Sequence, residues 1–156
     1  MILYHGSNIS FDEIDLQKSK PNKDFGKGFY LSPNYMQAME MAKIKTEQLK
    51  FGSPKVMTFE FDDKNPDLKI KRFEKYSEEW AKFILLNRNN RKPTPAHDYD
   101  VVIGPIADDR VGVQLWKYES KLIDLKTLTQ NLRYMKGVTI QYFFGTEKAI
   151  KTLTLL

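Results

Sequence analysis

Two short segments near the N-terminus combine residue types that suit the binding of a planar, charged ligand. In Tyr4-His5-Gly6-Ser7, a histidine ends a predicted strand and a glycine follows it at once. Such a glycine lets a ligand approach the backbone closely, so that N–H and C=O groups can hold a planar amide. The second segment, Asp24-Phe25-Gly26-Lys27-Gly28-Phe29-Tyr30, places two glycines around a lysine just before a tyrosine. It lacks the spacing of a phosphate-binding P-loop. Taken singly, a structural histidine and a core tyrosine are the more ordinary interpretations.

The composition excludes several other kinds of site. The 156 residues include no cysteine, which excludes disulfides, a thiolate nucleophile and a zinc site built on sulfur. His5 and His97 are too few for a histidine-rich metal cluster, so we expect no metal. The longest apolar stretch, residues 101–107, is too short to cross a membrane, and the first residues do not resemble a secretory signal. We therefore expect a cytoplasmic protein that makes no membrane contact.

The charge of the chain is mildly positive. Lys and Arg number 25 against 20 Asp and Glu, a net charge of +5 that favours an anionic ligand or nucleic acid by steering. The basic residues cluster at two places, Lys69-Ile70-Lys71-Arg72 and the looser group Arg88, Arg91 and Lys92. A solvated face is the simpler interpretation of both clusters, ahead of a nucleic-acid patch.

The pattern of elements predicts a single α+β domain over residues 1–156. Strands are predicted at residues 2–5, 28–31, 56–61, 68–70, 101–103 and 138–144, and helices at 32–49, from Ser77, from Asp108 or Asp109, at 125–135 and from Thr146. The strand at 68–70 is expected to pair with the strand at 56–61. In the first helix, the side chains expected to point toward the core are those of Met36, Met39, Ala42 and Ile44. Separated strands in mixed order favour α+β over a repeated βαβ sheet.

Taken together, the two N-terminal segments resemble the NAD-binding half of ADP-ribosyltransferases. The order of HGS at residues 5–7, FGKGFY at 25–30 and a following helix is similar to the diphtheria-toxin and poly(ADP-ribose) polymerase branch. The signature of that branch is His, Tyr and Glu on three separate strands. The likeness is specific over residues 4–42, and YDVVIGPIADDR and QYFFGTEKA resemble a small bacterial subfamily grouped with these enzymes. The resemblance implies an ADP-ribosyltransferase-like fold of two small packed β-sheets, flanking helices and a central NAD cleft.

The resemblance also implies a role for each matched residue. His5 would bond the ribose next to adenine, and Ser7 would lie near the ribose hydroxyls. Gly6 would hold the nicotinamide amide through its backbone, and Gly28 belongs to the same NAD-binding set. Tyr30 would stack on the nicotinamide ring, whose positive charge suits an electron-rich aromatic face.

Three positions depart from the family pattern. Met41 stands where a second tyrosine often covers the nicotinamide ring, and Ala38 replaces a serine that often bonds the amide. Gln141 stands where the family's last catalytic strand carries glutamate. A carboxylate there stabilises the oxocarbenium-like centre formed as nicotinamide leaves. Glutamine can orient the ribose but supplies neither a negative charge nor a base, so we expect a rate loss of about a hundredfold.

Other charged residues are open alternatives for the missing carboxylate and for phosphate binding. The acidic candidates are Glu147, Asp108, Asp109, Asp98 and Asp100. Their more ordinary roles are in helix first turns, N-caps and loops. Arg110 would hold an NAD phosphate, an anionic acceptor or merely a surface carboxylate.

The sequence therefore predicts a mono-ADP-ribosyltransferase that uses NAD as substrate and carries His5, Tyr30 and Gln141 as catalytic residues. We expect a bacterial toxin or phage-defence effector that modifies an intracellular protein or nucleic acid, with an antitoxin protein as a possible partner. The alternative is a catalytically weak or inactive NAD- or ADP-ribose-binding module, which Gln141, Ala38 and Met41 favour. A third alternative, a nucleic-acid-binding domain that reuses the same shape, is supported by the charge alone.

Overall fold

The chain folds as an α+β domain with two small sheets, as the sequence predicts. A computed structural model describes residues 1–107, 110–133 and 138–156. In chain order, the elements of the described residues are β1 (Ile2–Ser7), β2 (Phe29–Leu31), α1 (Tyr35–Leu49), β3 (Lys55–Glu60), β4 (Ile70–Arg72), α2 (Glu78–Arg88), β5 (Val101–Pro105), α3 (Val111–Glu119), α4 (Leu125–Leu132), β6 (Ile140–Phe144), α5 (Glu147–Ile150) and β7 (Thr154–Leu155).

The strands divide into a three-stranded sheet A and a four-stranded sheet B. Sheet A has the order β1-β3-β7 and is antiparallel throughout. Sheet B has the order β2-β6-β5-β4, in which only the β4–β5 pair is parallel. Both sheets therefore bring together strands that are far apart in the sequence.

The two sheets pack face to face over a shared apolar core. Because side chains alternate along a strand, every second residue of each sheet points into this interface. Leu3 and Phe59 from sheet A meet Leu31 and Phe144 from sheet B there, and all four are buried. The other face of sheet B, represented by Phe143, packs against helices α2, α3 and α4. With α1 on the outer face of sheet A, the domain has four layers.

The first helix begins later than its sequence predicts. Ser32 was the expected N-cap, but its backbone N–H and C=O instead bond Tyr4 of β1, at 2.8 and 2.7 Å. Asn34 caps the helix, because its side-chain oxygen accepts a hydrogen bond from the Gln37 N–H at 3.2 Å. The helix therefore starts at Tyr35, after a bridge that the local sequence does not reveal.

The inward face of α1 is made of small residues. Ala38 and Ala42 are the buried residues of the helix, which confirms the prediction for Ala42. The same prediction is wrong for Met36 and Ile44, which are 63% and 48% exposed. The helix lies so close to β1 that large side chains have no room beneath it, which is why alanines occupy the contact.

The remaining differences concern pairing and element ends. β4 pairs with β5 in parallel, Ile70 opposite Val101, and not with β3 as predicted. The last long strand begins at Ile140 rather than at residue 138, and α4 ends at Leu132. The predicted helix start at Asp108 or Asp109 lies outside the described residues.

Gly28→Ala tests the close packing of the chain before β2 against β6. A β-carbon at Gly28 would lie 2.2 Å from the Phe143 ring and 2.6 Å from the Phe144 carbonyl oxygen. Because the backbone cannot yield easily, we expect destabilisation by about 1–3 kcal/mol in urea unfolding. Gly112 is the matched control: it lies in α3 and a β-carbon there meets nothing within 4 Å. Gly112→Ala should stabilise by about 0.5–1 kcal/mol. Equal effects of the two substitutions would contradict this packing.

Candidate functional site

The two sheets are joined where β2 passes from one to the other. Residues 29–31 pair with β6 in sheet B, with Tyr30 opposite Phe143. The next residue, Ser32, exchanges both backbone hydrogen bonds with Tyr4 of β1 in sheet A. The β1 and β2 segments therefore touch at one rung and then separate.

The separation leaves the backbone of Gly6 without a partner. Alternate residues of an antiparallel strand point their backbone groups to opposite edges. Since Tyr4 points toward Ser32, Gly6 also points its N–H and C=O away from β3. The same register would place Gly6 opposite Tyr30, but no hydrogen bond joins them, nor any other described residue to these two groups of Gly6. Gly6 is partly exposed, so a ligand can reach a free donor and a free acceptor side by side.

The His5 side chain bonds the carbonyl group that the missing backbone hydrogen bond would use. Its Nδ1 lies 2.8 Å from the Tyr30 carbonyl oxygen, the group that the Gly6 N–H would otherwise bond. The imidazole stacks on Phe29 at a centroid distance of 4.2 Å and meets the edge of Phe11 at 5.8 Å. The imidazole therefore reaches the Tyr30 carbonyl from the face of β1 that packs toward sheet B.

The chemical state of His5 follows from its surroundings. Burial lowers the pKa of His5 to about 4, and the nearby ammonium groups of Lys45 and Lys23 act in the same direction. The bond to the Tyr30 carbonyl acts the other way but does not offset them. The ring is therefore neutral at pH 7, and because a carbonyl oxygen only accepts, the proton is on Nδ1. Nε2 remains as a hydrogen-bond acceptor.

Gly6 is fixed in position by the helix behind it. A β-carbon at this residue would lie 1.9 Å from the Ala38 carbonyl oxygen and 2.8 Å from the Ala42 nitrogen. Only glycine permits so close an approach of strand and helix. The packing that makes α1 an alanine-faced helix thereby also holds the free backbone groups of Gly6 in place.

The ring of Tyr30, rather than its hydroxyl, is the group that a ligand could contact, because the hydroxyl already makes two hydrogen bonds within the protein. The hydroxyl donates to the Gly26 carbonyl oxygen at 2.7 Å and accepts from the Phe25 N–H at 3.1 Å. Burial raises the pKa of Tyr30 well above its usual value, so the phenol stays protonated. The ring packs against Phe143 at 5.3 Å, and the ammonium of Lys23 lies 5.2 Å from the ring centroid. The aromatic face therefore already attracts a cation.

The loop that holds the Tyr30 hydroxyl is supported by residues that the sequence reasoning did not single out. His97 Nε2 lies 2.7 Å from the Phe25 carbonyl oxygen, while His97 Nδ1 accepts from the Tyr99 N–H at 3.1 Å. Asp24 accepts two bonds from the Arg88 guanidinium, at 2.7 and 2.9 Å. These partners are more than sixty positions away along the chain, so no local pattern connects them to the loop.

Gln141 lies on the same face of sheet B as Tyr30. Because Tyr30 pairs with Phe143, Gln141 is its diagonal neighbour, at a typical Cα separation of about 7–8 Å. The Nε2 of Gln141 is buried and has no hydrogen-bond partner among the described residues. An unsatisfied buried donor costs about 1–3 kcal/mol, so a ligand acceptor at this point would relieve it. The structure therefore joins His5 to the Tyr30 backbone from the inter-sheet face and places Gln141 on the Tyr30 side of sheet B.

Three other predicted NAD-binding residues have different surroundings. Ser7 is buried, and its hydroxyl oxygen accepts a weak bond from the Ile9 N–H at 3.4 Å. Gly28 is buried beneath the Phe143 ring. Met41 is 52% exposed on α1. In this conformation Ser7 and Gly28 support the fold, and about half of Met41 faces solvent.

The described acidic candidates have structural contacts or solvent exposure. Asp100 is buried and accepts from the Lys69 N–H at 2.8 Å and from the Thr146 hydroxyl at 2.7 Å. Asp98 pairs with the Lys69 ammonium at the surface. Glu147 is exposed in the first turn of α5. Asp108 and Asp109 lie outside the described residues, and Arg110 stands at the start of α3 without a side-chain cap.

The first basic cluster is neutralised by acidic partners. Its three ion pairs are Lys69–Asp98, Lys71–Glu79 and Arg72–Asp63. These ion pairs agree with the interpretation of this basic cluster as a solvated face. Within residues 1–107, 110–133 and 138–156, no group of three or more His, Asp or Glu side chains is arranged to hold a metal ion. The same residues contain no helix long and apolar enough to cross a membrane.

The low pKa of His5 predicts a loss of stability in acid. The unfolded chain, with a histidine pKa near 6.5, binds the proton more readily than the folded chain, where it is about 4. Stability is therefore fully present above pH 6.5 and falls by about 3 kcal/mol as the pH drops toward 4. His97, whose burial also lowers its pKa, adds a loss of the same sign. Urea unfolding at a series of pH values measures this slope.

His5→Asn provides the control, because an asparagine amide can donate to the Tyr30 carbonyl but does not titrate. The variant should lose a clear part of the acid slope while the contribution of His97 remains. A slope identical to that of the wild type would show that His5 does not titrate as the geometry requires.

Comparison with known proteins gives a family for the chain. No curated protein matches it significantly. A family model described as "Protein of unknown function (DUF3990)" matches residues 1–155, a span that includes both N-terminal segments and the strand that carries Gln141. Since the match covers nearly the whole chain, this protein belongs to the DUF3990 family.

Proposed function

We propose that this protein binds NAD at the opening between β1 and β2 and acts as a mono-ADP-ribosyltransferase with an ADP-ribosyltransferase-like fold. The observation that carries the proposal is the free N–H and C=O of Gly6, which the β1 register places opposite Tyr30. The proposal includes an intracellular protein or nucleic acid as acceptor, a role as a bacterial toxin or phage-defence effector, and an antitoxin protein as partner.

The backbone of Gly6 is complementary to a carboxamide. Its N–H would donate to the carboxamide oxygen and its C=O would accept from the carboxamide N–H, so the ligand would replace the rung that His5 prevents. Two such bonds fix the orientation of the ring to which the carboxamide is attached. The Tyr30 face, which already attracts the ammonium of Lys23, suits the positive charge of an oxidised nicotinamide ring.

His5 and Gln141 fit the ribose hydroxyls of the same ligand. The Nε2 of neutral His5 accepts a hydrogen bond, and the unsatisfied Nε2 of Gln141 donates one. When bound, NAD supplies the labile bond between nicotinamide and ribose. The chain's own residues would orient that bond and exclude water from it, while Gln141 provides no charge and no base. An acceptor must therefore bring its own nucleophile.

A second candidate function is an NAD- or ADP-ribose-binding module that does not turn its ligand over. Two observations favour it. Gln141 replaces the carboxylate that the transferase chemistry uses. Met41, the residue in place of the second ring-covering tyrosine, is 52% exposed, and Ala38 is used to pack against Gly6. The nicotinamide ring would then be held from one side only, and NAD would dissociate unchanged.

Incubation of the purified protein with labelled NAD separates the two functions. Release of nicotinamide or transfer of label supports the enzyme, and saturable binding without turnover supports the module. Gln141→Glu restores a carboxylate at nearly constant volume and should raise turnover by about a hundredfold. Gln141→Met keeps the volume but removes the amide, so it should abolish turnover without loss of stability.

Gln130→Met is the matched control, because it makes the same side-chain change at an exposed position of α4 and should leave turnover unchanged. If Gln141→Met turned NAD over as fast as the wild type, Gln141 would have no part in the reaction. If wild type and Gln141→Glu neither bind nor cleave NAD, the proposed function is wrong.

A further inference from the structure

Lys23 occupies the position that a cationic ligand ring would take. Its ammonium lies 5.2 Å from the Tyr30 ring centroid, on a loop whose geometry is set by the bond from the Gly26 N–H to the Lys23 carbonyl. The side chain is long and flexible and reaches solvent, although burial partly desolvates its ammonium. The contact with the Tyr30 ring can therefore be exchanged for another. A pyridinium ring that stacks on Tyr30 at this face has to displace the ammonium.

Lys45 approaches the same region from α1. Ala38 and Ala42 are the residues of α1 that touch Gly6, and Lys45 follows Ala38 by seven positions, nearly two helical turns. It therefore lies on the face of the helix that packs against β1, one turn beyond the contact. The ammonium groups of Lys45 and Lys23 both act on His5.

The positive charge gathered here is only partly compensated. Burial and the neighbouring charges of Lys20 and Lys45 disfavour the charged form of Lys23, so its pKa is lowered. Asp24, the carboxylate that acts on it among the described residues, already accepts two bonds from Arg88. Cations that outnumber the neighbouring carboxylates favour an anionic ligand.

We infer that Lys23 and Lys45 bind the diphosphate group of a dinucleotide, and that Lys23 reaches it by leaving the Tyr30 ring when the nicotinamide ring takes its place. The inference rests on the proposed function, because it assigns a further part of the same ligand. Lys23 thus has two alternative partners, an aromatic face before binding and a diphosphate after it. The nicotinamide ring would release Lys23 from Tyr30, and the diphosphate would then bind Lys23.

Calorimetric titration with two fragments of the dinucleotide tests this exchange. Nicotinamide has no phosphate and competes with Lys23 for the Tyr30 face, whereas ADP-ribose carries the diphosphate without the ring. Lys23→Met should weaken ADP-ribose binding by about tenfold, the effect of losing one charge-assisted contact. The same variant should strengthen nicotinamide binding by about two- to fivefold, since no ammonium has to be displaced. Opposite changes are the signature of one residue with two partners.

Three further variants define the contact. Lys45→Gln should weaken ADP-ribose binding and leave nicotinamide binding unchanged. Lys23→Arg retains the charge and should retain most of the ADP-ribose affinity. Lys43→Gln makes the same charge change on the same helix, on a different face, and should affect neither ligand. Thermal unfolding of each variant checks that it remains folded.

The outcomes separate the inference from the function it rests on. If the wild type binds both fragments but Lys23→Met changes both affinities by less than twofold, or weakens both, the inference is wrong and the NAD site stands. If the wild type binds neither fragment nor NAD, the proposed function fails, and the inference with it.

Discussion

The bond between His5 Nδ1 and the Tyr30 carbonyl oxygen is the interaction on which the candidate site depends. It replaces a backbone rung with a side chain at the point where β1 and β2 would otherwise continue as one ladder. β2 pairs with β6 through its other edge, so two sheets form where a continuous β1–β2 ladder would have joined them into one. The strand edge left open at Gly6 would ordinarily be a liability. Here the open edge is short, partly buried and backed by helix α1, which limits that liability.

The sequence predicts the parts of this arrangement that are encoded locally. Alternating apolar residues identified β3, and Ser77 identified the start of α2. The two glycine-containing segments identified His5, Gly6 and Tyr30, which the fold does bring together. What the sequence could not supply is the bridge between Tyr4 and Ser32, because it joins residues 28 positions apart. That bridge displaced the predicted cap of α1 from Ser32 to Asn34.

The inward face of α1 shows the same limit at the level of packing. A periodic search for large apolar residues selected Met36 and Ile44, whereas the strand-to-helix distance at Gly6 admits only alanine. The role of His97 was missed for a related reason, since its contact with Phe25 spans 72 positions. Gln141 was identified by resemblance alone, and its unsatisfied amide became evident only from the burial of its surroundings. Such a group is a cost to the fold that is understandable at a site where a ligand completes the hydrogen bonding.

The central claim is that the backbone of Gly6 is free and receives a carboxamide. Amide NMR of the ¹⁵N-labelled protein during a titration with nicotinamide, and in parallel with pyridine, which lacks the carboxamide, tests it most directly. The account predicts that nicotinamide shifts the Gly6 amide resonance downfield and slows its hydrogen exchange. Pyridine should do neither, and the Tyr4 amide, bonded to Ser32, should stay protected throughout. A Gly6 amide that is already protected without ligand, or that is unchanged when nicotinamide binds, would contradict the account.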